Sequence, residues 1–170
     1  ELEEIPHHDT INDVFEEIKV EELEKIRKYM IVKMIRSKML ERYKIRGRYY
    51  HIVVDGTGLA TSRKKYNPNC LVSNKTDKKG KVYQQYSTYV LEAKLVAGDM
   101  VFSIGSEFVE NEKEDVEKQD CELNAFKRLA KKIKKEYPRL NIIIGADALY
   151  ASKTVLDICK ENGWRYIIRF

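Results

Sequence analysis

Two aspartates, Asp55 and Asp147, each follow an apolar run that predicts a buried strand, at residues 49–54 and 140–146 respectively. A charged carboxylate beside such a strand is costly to desolvate unless it is paired, lies in solvent at the sheet edge, or binds a cation. Two of them from distant parts of one sheet would form a divalent-metal site. This is the arrangement that two-metal phosphoryl-transfer enzymes use.

Each aspartate also has a simpler interpretation. Asp55 begins an Asp-Gly-Thr-Gly sequence, which is typical of a tight turn in which the aspartate caps the bend. Asp147 could cap the helix that follows it. Carboxylates held close together repel each other unless a divalent cation neutralises them. The pair at two strand ends therefore favours metal binding over two independent caps.

Further acids in the same part of the chain could support such a site, although solvated loop acids are the more common case. Asp120 also predicts a cap for the helix after it. The acids are Glu107, Glu110, Asp120 and Glu122.

Charge is unevenly distributed along the 170 residues, whose formal net charge is +5. Residues 1–26 contain ten acidic and two basic residues, so residues 27–170 carry a net +13. A body this basic suits a polyanion such as DNA or RNA, although charge that serves only solubility is the alternative.

The composition also indicates where the protein works. The three cysteines are widely spaced and form no C-x-x-C pair, so they suggest neither a zinc site nor a disulfide framework. We therefore expect a cytoplasmic protein. No apolar stretch reaches the length of a transmembrane helix, and we expect no membrane partner.

The order of predicted elements indicates an α/β fold. Residues 11–43 carry apolar side chains near the 3.6-residue period of a helix. After them we predict strands at 49–54, 86–96 and 100–109, a helix at 121–137, a strand at 140–146, a helix at 152–162 and a strand at 164–170. A hairpin followed by alternating helices and strands predicts a mixed sheet flanked by helices. This order resembles the RNase H-like fold, with an N-terminal helical segment at residues 1–46 and a partial core at residues 47–170.

Several segments resemble motifs of insertion-sequence-type DDE transposases. Val-Val-Asp-Gly-Thr-Gly at residues 53–58 resembles their first acidic motif, and residues 119–129 resemble the stretch before the second. Ile-Gly-Ala-Asp-Ala-Leu-Tyr at residues 144–150 resembles the second acidic motif, which is often Asp-x-x-Tyr. Residues 6–11 resemble the lead-in to the N-terminal helical region. Together these segments span nearly the whole chain.

The resemblance implies an RNase H-like catalytic core that binds two divalent ions, usually Mg²⁺, with Mn²⁺ as the substitute. It makes Asp55 and Asp147 the first two members of the catalytic triad and metal ligands. One ion would activate a water or a DNA 3′-hydroxyl, and the other would stabilise the leaving oxygen. The implied partners are DNA, as transposon ends and target, and further copies of the chain in the working complex.

One feature departs from the family pattern. The family's third acid is a glutamate on a helix after the last strand present here, and the sequence ends at Phe170. Glu161 is a poor substitute because it precedes that strand. We therefore expect a fragment or decayed copy with little strand-transfer activity alone. Two alternatives stay open: another RNase H-like nuclease, and a non-catalytic DNA-binding remnant.

Overall fold

The computed structural model describes residues 5–111 and 120–169, and the chain divides into two compact units, Glu1–Met39 and Leu40–Phe170. Gln119, the first residue of the stretch 119–129, and Phe170, the last residue of the strand predicted at 164–170, lie outside the described residues. The second unit holds both aspartates of interest.

The first unit contains two helices where the sequence pattern predicted one. Helix α1 spans His8–Glu17 and helix α2 spans Val20–Arg36. Ile18 and Lys19 between them have extended backbone, which ends the hydrogen-bond ladder of α1. Two glutamates in the first turn of α2 favour a new start there, because acidic side chains stabilise a helix N-terminus. The apolar period continues across the break, so periodicity alone did not reveal it.

In its described residues the second unit contains a mixed six-stranded sheet, two α-helices and two short 3-10 helices. The strands are β1 Tyr50–Ser62, β2 Leu71–Thr76, β3 Val82–Ala97, β4 Met100–Val109, β5 Ile142–Ala146 and β6 Arg165–Ile168. The helices are α3 Glu122–Glu136 and α4 Lys153–Asn162. The predicted mixed α/β class and the order of hairpin, helix, strand, helix and strand are confirmed.

Strand β1 lies in the middle of the sheet. It pairs with β3 in antiparallel fashion on one edge and with β5 in parallel fashion on the other, and β6 continues the parallel side. The outer edge of β3 is shared by β2 and β4, which pair with successive stretches of it.

The core lies between one face of this sheet and α3. Helix α3 buries one apolar stripe against β3 and β4, whose members are Ala125, Phe126, Leu129, Ala130 and Ile133. On β1 the alternating residues Tyr50, Ile52 and Val54 are buried, as a half-covered strand requires. Full burial of each large apolar side chain contributes about 1.5–3 kcal/mol to folding, so this layer fixes the sheet edge from which the aspartates project.

The sequence prediction for the first strand was wrong at its end. We predicted that the strand stops at Val54, whereas β1 continues past Asp55 to Ser62 and stays paired with β3 as far as Tyr86. Strand β2 was missed altogether. Both segments gain their strand structure from pairing with β3, which overrides the weak strand preference of their glycines and polar residues.

No helix in the described ranges is both long enough and apolar enough to span a membrane.

Candidate functional site

The sheet brings Asp55 and Asp147 together. Strands β1 and β5 are parallel neighbours, and their register ends at Val53 opposite Gly145, two residues before each aspartate. Neighbouring strands lie about 4.8 Å apart, so Asp55, which lies within β1, and Asp147, which follows the end of β5, are placed side by side at the carboxyl end of β5. Both are exposed to solvent.

Each aspartate also makes a local backbone bond. Oδ1 of Asp55 accepts from the amide of Gly56 at 3.0 Å. Oδ1 of Asp147 accepts from the amide of Leu149 at 3.0 Å and so caps a short 3-10 helix at Ala148–Tyr150. The capping interpretation of Asp147 is therefore correct for this turn. It is compatible with a metal, because a carboxylate offers about four lone-pair sites.

A third carboxylate, that of Glu122, reaches the same edge of the sheet. Glu122 is the first residue of α3, and its side chain lies directly over the α-carbon of Gly56. A Cβ atom at position 56 would lie 2.6 Å from Cδ and Oε1 of Glu122 and 2.8 Å from Oε2. Only glycine at position 56 leaves room for the carboxylate in this position.

Tyr150 holds Glu122 in place. The Tyr150 hydroxyl donates to Oε2 of Glu122 at 2.9 Å, and its buried ring packs edge-on against Phe126 at 5.8 Å between centroids. Burial raises the pKa of Tyr150 far above its ordinary 10.0, and the hydrogen bond to Glu122 raises it further. The negative charges of Glu122, Asp147 and Asp55 act in the same direction. The phenol therefore stays protonated and remains a donor, within electrostatic range of all three acids.

The three carboxylates do not form a closed cage. Gly56 belongs to the alternating set of β1 that faces α3, whereas Asp55 belongs to the opposite set, so Glu122 and Asp55 lie on different sides of the strand. Mg²⁺ is usually bound by one or two carboxylates, with waters and substrate phosphates as the other ligands. Asp55 and Asp147 fit that donor set, and Glu122 lies on the other side of β1.

Among the described residues, the one group of three ligand-type side chains whose ligand atoms all lie within 4.8 Å is elsewhere, at His7, His8 and Asp9. All three side chains are at least 66% exposed, and Nδ1 of His7 accepts from the amide of Asp9 at the start of α1. Imidazole nitrogen is a poor ligand for Mg²⁺, which prefers oxygen. We interpret this group as a helix start.

The N-terminus of α3 is fixed by Arg128. Its guanidinium donates to Oε1 of Glu107 and Oδ2 of Asp120, both at 2.7 Å, and to the carbonyl of Phe108 at 2.7 Å. Burial opposes ionisation of Asp120, but the bonds from Arg128 and from nearby backbone amides outweigh it and lower the pKa of that carboxyl. The hydrogen bond that Arg128 donates to Asp120 in turn raises the pKa of Arg128.

We predicted that Asp120 caps α3, and this prediction was wrong. The N-cap is Cys121, and the Asp120 carboxylate instead accepts from Arg128, because an ionised partner gives it a stronger hydrogen bond than backbone amides at a helix start. The network ties the end of β4 to the residues before Glu122. Glu107 and Asp120 therefore support the site, and Glu110 joins through its backbone amide, which donates to Asp120.

Sequence reasoning treated Glu122 as one of four equivalent acids. A glutamate in the first turn of a helix is common for electrostatic reasons alone, so its position carried no special signal.

From the sequence we did not identify Glu92 as a neighbour of the site. It lies opposite Asp55 on β3 and pairs with Lys94 at 3.0 Å, which places a fourth, already neutralised acid beside Asp55.

Comparison of the chain with protein-family models, with curated proteins and with solved structures gives no match.

Proposed function

We propose that this chain is the catalytic core of a DDE-type DNA transposase, which uses Mg²⁺ or Mn²⁺ to cleave and join phosphodiester bonds. The observation that carries the proposal is the placement of Asp55 and Asp147 at the same level of two adjacent parallel strands. Two such carboxylates can bind a divalent ion to which substrate phosphates add further ligands. Transposon ends and target DNA are the proposed substrates, in a homo-oligomeric complex in the cytoplasm.

The strand arrangement supports an RNase H-like core, the finer fold assignment in this proposal. Strands β1, β3 and β4 are antiparallel neighbours, and β5 and β6 follow in parallel on the other side of β1. This arrangement makes the strands that carry the first and second acids direct neighbours. A metal-binding pair then needs no long loop to bring it together.

The protein groups have separate roles in the proposed reaction. Asp55 and Asp147 hold the ion, which when bound supplies charge stabilisation and lowers the pKa of a ligated water. Glu122 adds a carboxylate on the helix side of the same edge, and Tyr150 fixes its orientation by donating to Oε2. Arg128 keeps the start of α3 in position through Asp120.

A second candidate function is favoured by the position of Glu122. Glu122 lies across β1 from Asp55, and if it served as the third acid the chain would supply three carboxylates and would hydrolyse DNA as another type of RNase H-like nuclease. Mg²⁺-dependent nicking of duplex DNA by the purified chain, lost in Glu122→Gln, would favour the nuclease. Mn²⁺ binding that depends on Asp55 and Asp147, without such nicking, would favour the transposase core.

Mn²⁺ titration of variants tests the metal site itself. We expect Asp55→Asn and Asp147→Asn each to weaken Mn²⁺ binding at least about tenfold, since changes even outside the ligands of metal sites commonly cost 10–100-fold. Asp99→Asn is the matched control, because Asp99 is exposed in the β3–β4 turn at the other end of the sheet. Unchanged affinity in both site variants would exclude the proposed metal site.

A further inference from the structure

The strands that pass the aspartates continue into a projecting three-stranded extension, which we call the arm. It consists of β1 from Gly56 to Ser62, all of β2, and the first part of β3. Pairing of β1 with β3 ends at Ser62 opposite Tyr86. Beyond that point β2 and β3 continue alone as a two-stranded ribbon that closes in the turn at residues 77–81.

The end of the arm, the arm tip, is strongly basic. Residues 56–90 contain seven basic residues and one acid. All seven side chains are exposed. They are Arg63, Lys64 and Lys65 after β1, and Lys75, Lys78, Lys79 and Lys81 around the β2–β3 turn.

The single acid of the arm is used in building the turn. Oδ1 of Asp77 accepts from the amides of Lys79 at 2.8 Å and Lys81 at 2.9 Å. Gly80 has φ +81°, a left-handed backbone that suits glycine. Because this oxygen is directed at backbone amides, the turn presents its three lysines to solvent as a compact cluster of positive charge.

A stacking contact joins the two basic groups. The guanidinium of Arg63 lies over the ring of Tyr83 at 4.4 Å from its centroid, so the loop after β1 meets the start of β3 at the arm tip. Arginine in such a position keeps its donors free at the edge of the plane to meet phosphate oxygens. The cations therefore form one surface.

The arm has the length and shape to follow DNA away from the aspartates. Seven residues separate Asp55 from Ser62, and eleven residues of β3 separate Glu92, which lies opposite Asp55, from Lys81 in the turn. At about 3.4 Å per residue these lengths are roughly 24 Å and 37 Å along the strands. Phosphates of one DNA strand are spaced about 3.4 Å along the helix axis, so the arm tip lies roughly seven to eleven base pairs from Asp55. A two-stranded ribbon fits the major groove of B-form DNA, whereas the deep, narrow major groove of duplex RNA excludes side chains.

We propose that the arm tip binds the backbone of duplex DNA roughly seven to eleven base pairs from the bond held at Asp55 and Asp147. This inference rests on the proposed function for its choice of DNA and deepens it by assigning the surface that holds the substrate. The binding is electrostatic and independent of the metal. A result that contradicts DNA binding at the arm tip can therefore be told apart from one that contradicts the metal site at Asp55 and Asp147.

Duplex binding of the full chain in EDTA, measured by fluorescence anisotropy across 50–200 mM NaCl, tests the proposal. The test variant carries Lys78→Gln, Lys79→Gln and Lys81→Gln. Each phosphate contact contributes about 0.9 to the slope of log affinity against log salt, so we expect the slope to fall by about two to three. We also expect at least roughly tenfold weaker binding near 0.1 M salt.

The matched control removes the same charge from the solvent face of α3. It carries Lys127→Gln, Lys131→Gln and Lys135→Gln, all exposed positions. We expect its slope to equal that of the unmodified chain. Equal losses in both triple variants, no loss in the test variant, or no DNA binding by the unmodified chain would each overturn the proposal. Tighter, tip-dependent binding to an RNA duplex of the same sequence would overturn the assignment to DNA.

Discussion

The aspartate edge and the arm tip are built on the same strands but by different physical means. At the edge, Asp55, Asp147 and Glu122 are positioned by strand register, by a buried tyrosine and by the helix start behind them. At the arm tip, seven cations with exposed side chains lie on a turn and a loop. Metal coordination tolerates errors of only about 0.2 Å in distance, whereas phosphate attraction acts over several ångströms. The edge should therefore be sensitive to geometry and the arm tip to total charge.

The largest expected effect comes from removing the packing beneath the edge. Phe126→Ala deletes a fully buried ring that packs against Tyr150, and we expect the free energy of unfolding to fall by about 3–5 kcal/mol. The triple substitution at the arm tip should change it by less than about 0.5 kcal/mol, as is usual for exposed positions. Urea denaturation measures both. Similar losses of unfolding free energy in the two variants would contradict the distinction between an edge held by buried packing and an arm tip exposed to solvent.

A pair of conservative substitutions sharpens the comparison at the level of function. Asp55→Glu keeps the charge but moves the carboxylate by one methylene, and we expect Mn²⁺ affinity to fall about 10–100-fold. Lys79→Arg also keeps the charge, and we expect the salt slope of DNA binding to change by less than about 0.3, since the number of phosphate contacts is preserved. Unchanged Mn²⁺ affinity in Asp55→Glu, or a clearly smaller salt slope of DNA binding in Lys79→Arg, would contradict this interpretation.

The smallest expected effect concerns the support behind Glu122. The pKa of Asp120 is lowered in the fold, so its pairing with Arg128 stabilises the protein above the carboxyl's ordinary value of 3.8 and is lost as pH falls below it. We expect Arg128→Gln to cost about 1 kcal/mol at neutral pH, a low value because the arginine side chain is 40% exposed. Unfolding free energies of the two proteins should converge as pH falls below 3.8. A difference that persists or grows in acid would contradict the role of this ion pair.

What the sequence predicted well was signalled locally. The predicted strands at 86–96 and 100–109 and the predicted helices at 121–137 and 152–162 lie within four residues of their observed bounds. Local residues mark where they end: Gly98 in the hairpin turn, Pro138 after α3 and Gly163 after α4. From the sequence we placed both aspartate strands in one sheet, and the register shows that they are parallel neighbours in it.

What the sequence did not predict depends on contacts between distant segments. The extension of β1 and the existence of β2 require β3 as a partner, and neither segment has a strong strand pattern of its own. The position of Glu122 over Gly56 depends on how α3 crosses the sheet. The sequence shows the basic residues of the arm. It does not show that they lie together at the arm tip, because that depends on how β1, β2 and β3 pair.

The most direct test of the central claim is a crystal structure of the full chain soaked with Mn²⁺, with the metal located by its anomalous scattering. We predict a peak within bonding distance, about 2.0–2.3 Å, of carboxylate oxygens from both Asp55 and Asp147. Asp55→Asn crystals should lose it. An anomalous peak only at His7, His8 and Asp9, or a peak at one aspartate that the other does not touch, would contradict the account.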